Sequence, residues 1–113
     1  MADLNKLLTI PGVWAAGEFG DDGSLLAHAG ELSDEHAAMA AQMCAANNAM
    51  ARMQCDGFTA MSGQEWAPLR GWALTGPLHS VCVMGNVGVF VRNAEVSFNS
   101  VFAGLGEQAA LPA

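Results

Sequence analysis

The stretch Ser33–Gly57, SDEHAAMAAQMCAANNAMARMQCDG, decides how this chain folds. Ser33 is a good N-cap, and Asp34 and Glu35 follow it in the first turn, where the helix dipole favours acids. Gly57 is the natural C-cap at the other end. The residues between predict a helix of roughly 34 Å, at 1.5 Å per residue. Since this helix carries no charge between His36 and Arg52, we expect much of its surface to be covered.

The residues before this helix predict a short helix and a hairpin. Asp3–Leu8 places leucines on one face at helical spacing, and Pro11 follows its end. Val13–Phe19 and Ser24–Ala29 read as two strands, and the Asp-Gly signal within residues 20–23 predicts the turn between them.

The residues after the long helix predict three strands and a last helix. Trp66–Thr75 reads as a strand at an edge or with a bulge, because Pro68 cannot donate to a ladder. His79–Met84 and Val87–Arg92 are rich in valine, and Gly85-Asn86 predicts a tight hairpin between them. Glu95–Leu105 then reads as a helix, and we expect the tail over residues 106–113 to fray.

These elements predict one α+β domain over residues 1–113, in the order α-β-β-α-β-β-β-α. The expected architecture is a five-stranded antiparallel sheet, with one long central helix and short N- and C-terminal helices packed on its faces. We find no linker, repeat or low-complexity segment that would divide the chain.

The amino-acid composition argues against several classes of function. Hydrophobic residues make up 52% of the chain and charged residues only 13%, so we expect part of the surface to be covered by another subunit or another protein. A net charge of −7 argues against nucleic acid and anionic membranes as partners. We expect neither a bilayer span nor a secretion signal, and three scattered cysteines favour reduced thiols in a cytoplasm.

Four segments resemble a known family. They are PGVWAAGEF (Pro11–Phe19), DDGSLLAHAGEL (Asp21–Leu32), MCAANNAMARMQCDGFTAMSG (Met43–Gly63) and SVCVMGNVGVFVRN (Ser80–Asn93). With the order of elements, they resemble the roadblock/dynein light chain superfamily of profilin-like folds, and more closely the bacterial family DUF2173. The resemblance covers most of the chain and identifies a fold rather than a catalytic motif.

The resemblance implies a homodimer in which the third strands pair into one continuous sheet, with the long helices side by side across it. It also implies a platform for other proteins, since several roadblock domains bind small Ras-like GTPases near the long helices. We therefore expect the dimer interface to include the irregular third strand. Its residues are Trp66, Leu69, Arg70, Gly71 and Trp72.

The methionines of the long helix have two interpretations. Met39, Met43, Met50 and Met53 share one face, either as flexible fillers against the sheet or as an adaptable docking surface. Asn47 and Asn48 interrupt the apolar middle, either exposed to solvent or in a polar contact at a helix–helix seam. We predict a partner-binding surface made of Met39, Met43, Asn47, Asn48 and Met50.

Other motifs favour structural interpretations. Cys44 and Cys55 lie about 16 Å apart along the helix, too far for a disulfide, and Cys82 fits the core. The three histidines show no metal-ligand spacing, and Met84–Gly88 fits a hairpin better than a phosphate loop. The even spacing of Trp66 and Trp72 would place both on one face of a strand at an interface, with Trp14 more buried.

The sequence therefore favours a non-catalytic, homodimeric protein-interaction module without a cofactor. The main alternative is a sulfur, redox or small-ligand accessory protein built on the cysteines, and thiol reactivity near neutral pH would separate it from the interaction module. An enzyme whose active site the sequence does not show ranks last.

Overall fold

The computed structural model describes residues 2–110. Its helices and strands follow the predicted order, and the third strand is the shortest. They are α1 (Leu4–Leu7), β1 (Val13–Phe19), β2 (Leu25–Gly30), α2 (Asp34–Ser62), β3 (Gly71–Thr75), β4 (His79–Met84), β5 (Val87–Arg92) and α3 (Phe98–Gln108).

The five strands form one antiparallel sheet in the order β2-β1-β5-β4-β3. β1, β5 and β4 lie inside the sheet, so β2 and β3 are its two edges. Helix α2 connects one edge to the other across one face of the sheet, and α1 and α3 pack on the other face. The predicted α+β architecture is confirmed.

Strand alternation builds a separate core on each face. Val89 and Val91 of β5 point to one face, where they meet Val101 and Leu105 of α3. On the other face, Phe19 and Val83 meet small residues of α2. Because both faces of the central strands are covered, β5 reads as a nearly continuous run of apolar residues from Val87 to Val91 rather than a polar alternation.

Helix α2 is longer than predicted, because it continues through Gly57 to Ser62. The hydroxyls of Thr59 and Ser62 bond back to the carbonyls of Cys55 and Phe58, as hydroxyls in helices often do. The helix ends at Gly63, whose φ of 73° is left-handed and suits glycine. Gly57 as the C-cap was wrong, and the glycine that ends the helix lies six residues further on.

The third strand is shorter than predicted, because only Gly71–Thr75 pairs with β4. Residues 63–70 form a loop that Thr59 anchors: its Oγ1 accepts from the Trp66 amide at 3.0 Å and the Ala67 amide at 3.3 Å. Pro68, which has no amide proton, lies in this loop rather than in the ladder.

The ends of two other elements also shift. β2 runs one residue later than predicted, over Leu25–Gly30. Helix α3 begins at Phe98 because the Ser97 hydroxyl caps it, accepting from the Ser100 amide, and it extends to Gln108 instead of ending at Leu105. The predicted fraying of residues 106–113 is wrong for residues 106–108, which belong to α3, and residues 111–113 lie outside the described residues.

Candidate protein-interaction surface

Small residues form the buried face of helix α2. Its buried residues recur at helical spacing on one stripe: Ala37, Ala41, Cys44, Ala45 and Asn48. Alanine lets a helix lie close to a sheet, because it places no long side chain between the two backbones. The stripe therefore leaves no room for a methionine between α2 and the sheet.

The methionines lie on the opposite side of the helix and are exposed. Met39, Met43, Met50 and Met53 are each at least half exposed, with Met43 at 64%. The interpretation that they pack on the sheet is wrong, because the alanine stripe occupies that position. We call these four residues the methionine surface.

The structure separates the two asparagines. Asn48 is only 2% exposed and lies against the sheet. Its Nδ2 donates to the Gly85 carbonyl at 2.9 Å, and its Oδ1 accepts from the Trp72 indole at 2.6 Å. Asn48 therefore joins α2 to β3 and to the turn after β4 within one chain and is not part of the exposed helix surface, contrary to the prediction. Asn47 is half-buried.

The second half of α2 carries further exposed apolar residues that the sequence analysis missed. Phe58 is exposed and packs against Trp66, with ring centroids 5.0 Å apart, and Met61 is 76% exposed. Both residues follow Gly57, and they were not predicted as helix residues because Gly57 was taken as the end of the helix. A helical pattern continued past that glycine would have included them.

β3 carries the exposed edge of the sheet on this side. Trp72 is half-buried, whereas Leu74 on the same face is 61% exposed. Leu74 was not predicted as a surface residue, although its period-two spacing from Trp72 would have placed it on this face. Within residues 2–110, no strand pairs with the outer side of β3.

The residues predicted for the dimer interface cluster beside this edge. Together with Phe58 and Cys55 of α2, they line an open groove of about 650 Å³: Trp66, Leu69, Arg70, Gly71 and Trp72. Gly71 has a steric role here, because an added Cβ would lie 2.5 Å from the Val83 carbonyl oxygen. Trp66 and Trp72 do not share a strand face as predicted, since Trp66 lies in the loop.

Trp14 is half-buried rather than enclosed in the core. Its ring lies 5.4 Å from that of Phe90, and the Arg92 guanidinium lies 5.8 Å from the ring centroid. Arg92 also pairs with Glu31 at 2.9 Å. This cluster ties β1 to β5 at the end of the sheet away from the Gly85 hairpin.

The cysteines differ in their surroundings. Cys44 and Cys82 are buried, and that burial raises the pKa of each thiol to about 11. The core position predicted for Cys82 is confirmed, and Cys55 is half-buried at the groove. Within residues 2–110, no three His, Cys, Asp or Glu side chains gather where they could hold a metal ion.

Two other motifs fall into structural roles. Gly85 and Asn86 form the turn between β4 and β5, as predicted, and Asn86 Nδ2 donates to the Phe19 carbonyl at 2.9 Å. His28 contacts Asp34 in the first turn of α2 at 2.7 Å. Among the described helices, none has both the length and the hydropathy that a bilayer span requires.

Solved structures share this architecture at low sequence identity. The chain superposes on a Roadblock/LC7 domain from Streptomyces avermitilis with a TM-score of 0.77, at 13% identity, over 92% of this chain and 86% of that one. It superposes on the gliding protein MglB from Thermus thermophilus with a TM-score of 0.72, at 17% identity, over 92% and 77%.

A third structure, described as MglB with a tetrameric arrangement, gives a TM-score of 0.73 at 18% identity, over 92% and 76%. At such identities the likeness establishes the roadblock fold and nothing finer. No curated protein matches the chain by sequence.

One family model matches nearly the whole chain. It spans residues 3–107 and so includes every helix and strand except the last residue of α3. The chain has the roadblock fold and belongs to the family described as uncharacterized conserved protein DUF2173.

Proposed function

We propose that this chain is a non-catalytic regulatory module that forms a homodimer through β3 and presents the methionine surface to another protein, such as a small Ras-like GTPase. The observation that carries the proposal is an open sheet edge bordered by exposed apolar side chains. Unpaired edge strands invite pairing with another chain. Large apolar side chains are seldom grouped on the surface of a monomer.

The dimer half of the proposal rests on the region around β3. Leu74 is exposed, Trp72 is half-buried, and the groove beside them is walled by Phe58 and Trp66. A second copy would cover these side chains and pair the free edge. The likeness to an MglB structure with a tetrameric arrangement is consistent with self-association.

The partner half rests on the methionine surface. It points away from the sheet, so a dimer joined at the β3 edge leaves it accessible. Methionine is flexible and polarisable, which suits surfaces that adapt to a partner. With a net charge of −7, the chain favours partners with a basic contact surface.

The same proposal places the chain in a cytoplasm, where reduced thiols persist. The three cysteines are free. The rival function, in which the cysteines handle sulfur or redox chemistry, has less support from the geometry. Burial keeps Cys44 and Cys82 protonated at neutral pH, and a reactive cysteine needs a thiolate.

Two leucines at opposite edges of the sheet provide a matched test of the dimer. Leu74→Lys on β3 should give a monomer, because it places a charge at the proposed interface. Leu26→Lys on β2 should stay dimeric, since Leu26 is similarly exposed at 57% but lies on the far edge. Sedimentation velocity of both variants would measure this, and equal behaviour would contradict the proposed interface.

A binding titration tests the partner half. We expect a small Ras-like GTPase from the same cell to bind the unmodified chain, with its affinity differing between the GDP form and a GTP-analogue form. Met43→Glu should weaken that binding at least tenfold while leaving the dimer intact. Absence of binding in both nucleotide states would remove that GTPase as the partner.

A further inference from the structure

Hydrogen bonds at the two ends of β3 fix which of its backbone groups face the open edge. The Gly85 amide donates to the Arg70 carbonyl at 3.0 Å, and the Gly76 amide donates to the His79 carbonyl at 2.8 Å. Antiparallel partners alternate between hydrogen-bonded and non-hydrogen-bonded pairs. With the observed register, the even-numbered residues therefore bond to β4.

It follows that three odd-numbered residues present their amides and carbonyls to the open edge. They are Gly71, Ala73 and Thr75. A second copy related by a two-fold axis perpendicular to the sheet would pair antiparallel with this edge. Only one register uses all the outward groups of β3: Ala73 faces Ala73 of the other copy, and Gly71 faces Thr75.

Shifting the two-fold axis by one residue leaves some of the outward backbone groups of β3 without a hydrogen-bond partner. An axis at Trp72 pairs Gly71 with Ala73 and leaves Thr75 opposite a residue outside the strand. An axis at Leu74 leaves Gly71 opposite Pro77, which has no amide proton to donate. The register centred on Ala73 therefore forms the most backbone hydrogen bonds.

The same register matches the side chains on the face that carries α2. Trp72 of one copy falls opposite Leu74 of the other as a non-hydrogen-bonded pair, whose Cα atoms approach to about 4.5 Å. The Trp72 indole is held in place by its bond to Asn48, at 2.6 Å. Leu74 has little cover in its own chain and is 61% exposed.

We infer that Ala73 lies on the two-fold axis of the dimer, and that Leu74 of each copy covers the Trp72 indole of the other. This inference rests on the proposed self-association and specifies its register. Asn48 then acts as a positioning residue, since it orients the tryptophan that receives the partner's Leu74.

Disulfide trapping tests the register. Ala73→Cys would be made with Cys55 and Cys82 replaced by alanine, because Cys82 lies directly opposite Ala73 on β4 and could trap it within the chain. Mild oxidation should link most of the dimer, since Cα atoms about 5.5 Å apart suit a disulfide. Thr75→Cys in the same background should not link, because the two copies of Thr75 lie about 13 Å apart along the strands.

The outcomes separate the register from the dimer itself. Dimers by sedimentation that cross-link through Trp72→Cys or Leu74→Cys, but not through Ala73→Cys, would overturn the register and keep the proposed function. A monomer under the same conditions would overturn both.

Hydrogen exchange on the unmodified chain gives a second readout that needs no substitution. In the dimer, the amides of Gly71, Ala73 and Thr75 should all exchange slowly, and dilution to the monomer should release them together. A dimer in which Gly71 or Thr75 exchanges as fast as in the monomer would overturn the register.

Discussion

At the scale of single residues, the buried amide of Asn48 joins helix α2 to the sheet. Asn48 is a weak helix former in the middle of α2, and local propensity does not explain it. Its two hydrogen bonds, to Gly85 and Trp72, do explain it, because they connect three parts of the chain through one buried amide. The polar contact is a seam between helix and sheet rather than between two helices.

Replacing this amide should be costly. Asn48→Ala leaves the Gly85 carbonyl and the Trp72 indole without their partner, and each buried group left unpaired costs about 1–3 kcal/mol. We expect a loss of about 2–4 kcal/mol in the free energy of unfolding, measured by urea denaturation at fixed protein concentration. Asn47→Ala is the control and should change it by less than about 0.5 kcal/mol. Equal losses would show that Asn48 has no special role.

The buried thiols predict how stability depends on alkaline pH. In the folded chain the pKa values of Cys44 and Cys82 are raised to about 11, from an ordinary value of 9.0. Between these values the unfolded chain loses its thiol protons first, so it binds fewer protons than the folded chain. The contribution of these two protonated thiols to the free energy of unfolding is therefore complete below pH 9 and is lost as the pH rises towards 11.

Denaturation at several pH values measures this effect. The free energy of unfolding should fall from about pH 9 to about pH 11, and the fall should be shallower in Cys82→Ala, which keeps only one of the two raised thiols. An identical fall in the variant would show that Cys82 contributes nothing to it.

At the scale of elements, helix α2 determines the surface of the molecule. Its small residues face the sheet, its methionines face away, and its last turns extend past the predicted end to carry Phe58 and Met61. Thr59 then anchors the loop that brings Trp66 beside the helix. One long element therefore positions both the methionine surface and the groove beside β3.

Two glycines, Gly57 inside this helix and Gly63 at its C-cap, predict opposite effects of the same substitution. Gly57→Ala should stabilise the chain by about 0.5–1 kcal/mol, because Gly57 lies in the helix interior and an added Cβ meets nothing within 4 Å. Gly63→Ala should destabilise it by about 1–2 kcal/mol, because a left-handed conformation strains alanine. Thermal unfolding would measure both, and shifts of the same sign would contradict the observed helix end.

The sequence predicted the regular elements well because their patterns are local. β1, β4 and β5 begin and end where alternation and valine content placed them, since turn residues bound them on both sides. The end of α2 was missed because Gly57 resembles a cap yet lies within the helix. Whether the helix continues past Gly57 depends on the residues that follow this glycine.

The sidedness of α2 could not be read from the sequence, because the helix is apolar nearly all round. Alanine and methionine both count as apolar in a periodic pattern, so the pattern does not show which faces the sheet. Side-chain volume decides which face of α2 packs on the sheet, because only the alanine stripe lets the helix lie close to it. The partners of Asn48 were equally hidden, since Gly85 lies 37 residues away in the chain.

At the scale of the whole molecule, the two edges of the sheet are unequal. Within residues 2–110 neither edge strand pairs with another strand on its outer side, but β2 leads into α2 through a short connection. β3 has a groove at one end of its open edge, and the exposed side chain of Leu74 lies beside the half-buried Trp72 on one face. The proposed dimer removes this open edge, and the methionine surface remains for a further partner.

Sedimentation equilibrium of the unmodified chain, from low to high micromolar concentration, is the direct test of the proposed dimer. We predict a single species of twice the chain mass of 11.7 kDa over the upper part of that range. A chain that remains monomeric at high micromolar concentration would contradict the proposed dimer and the register derived from it.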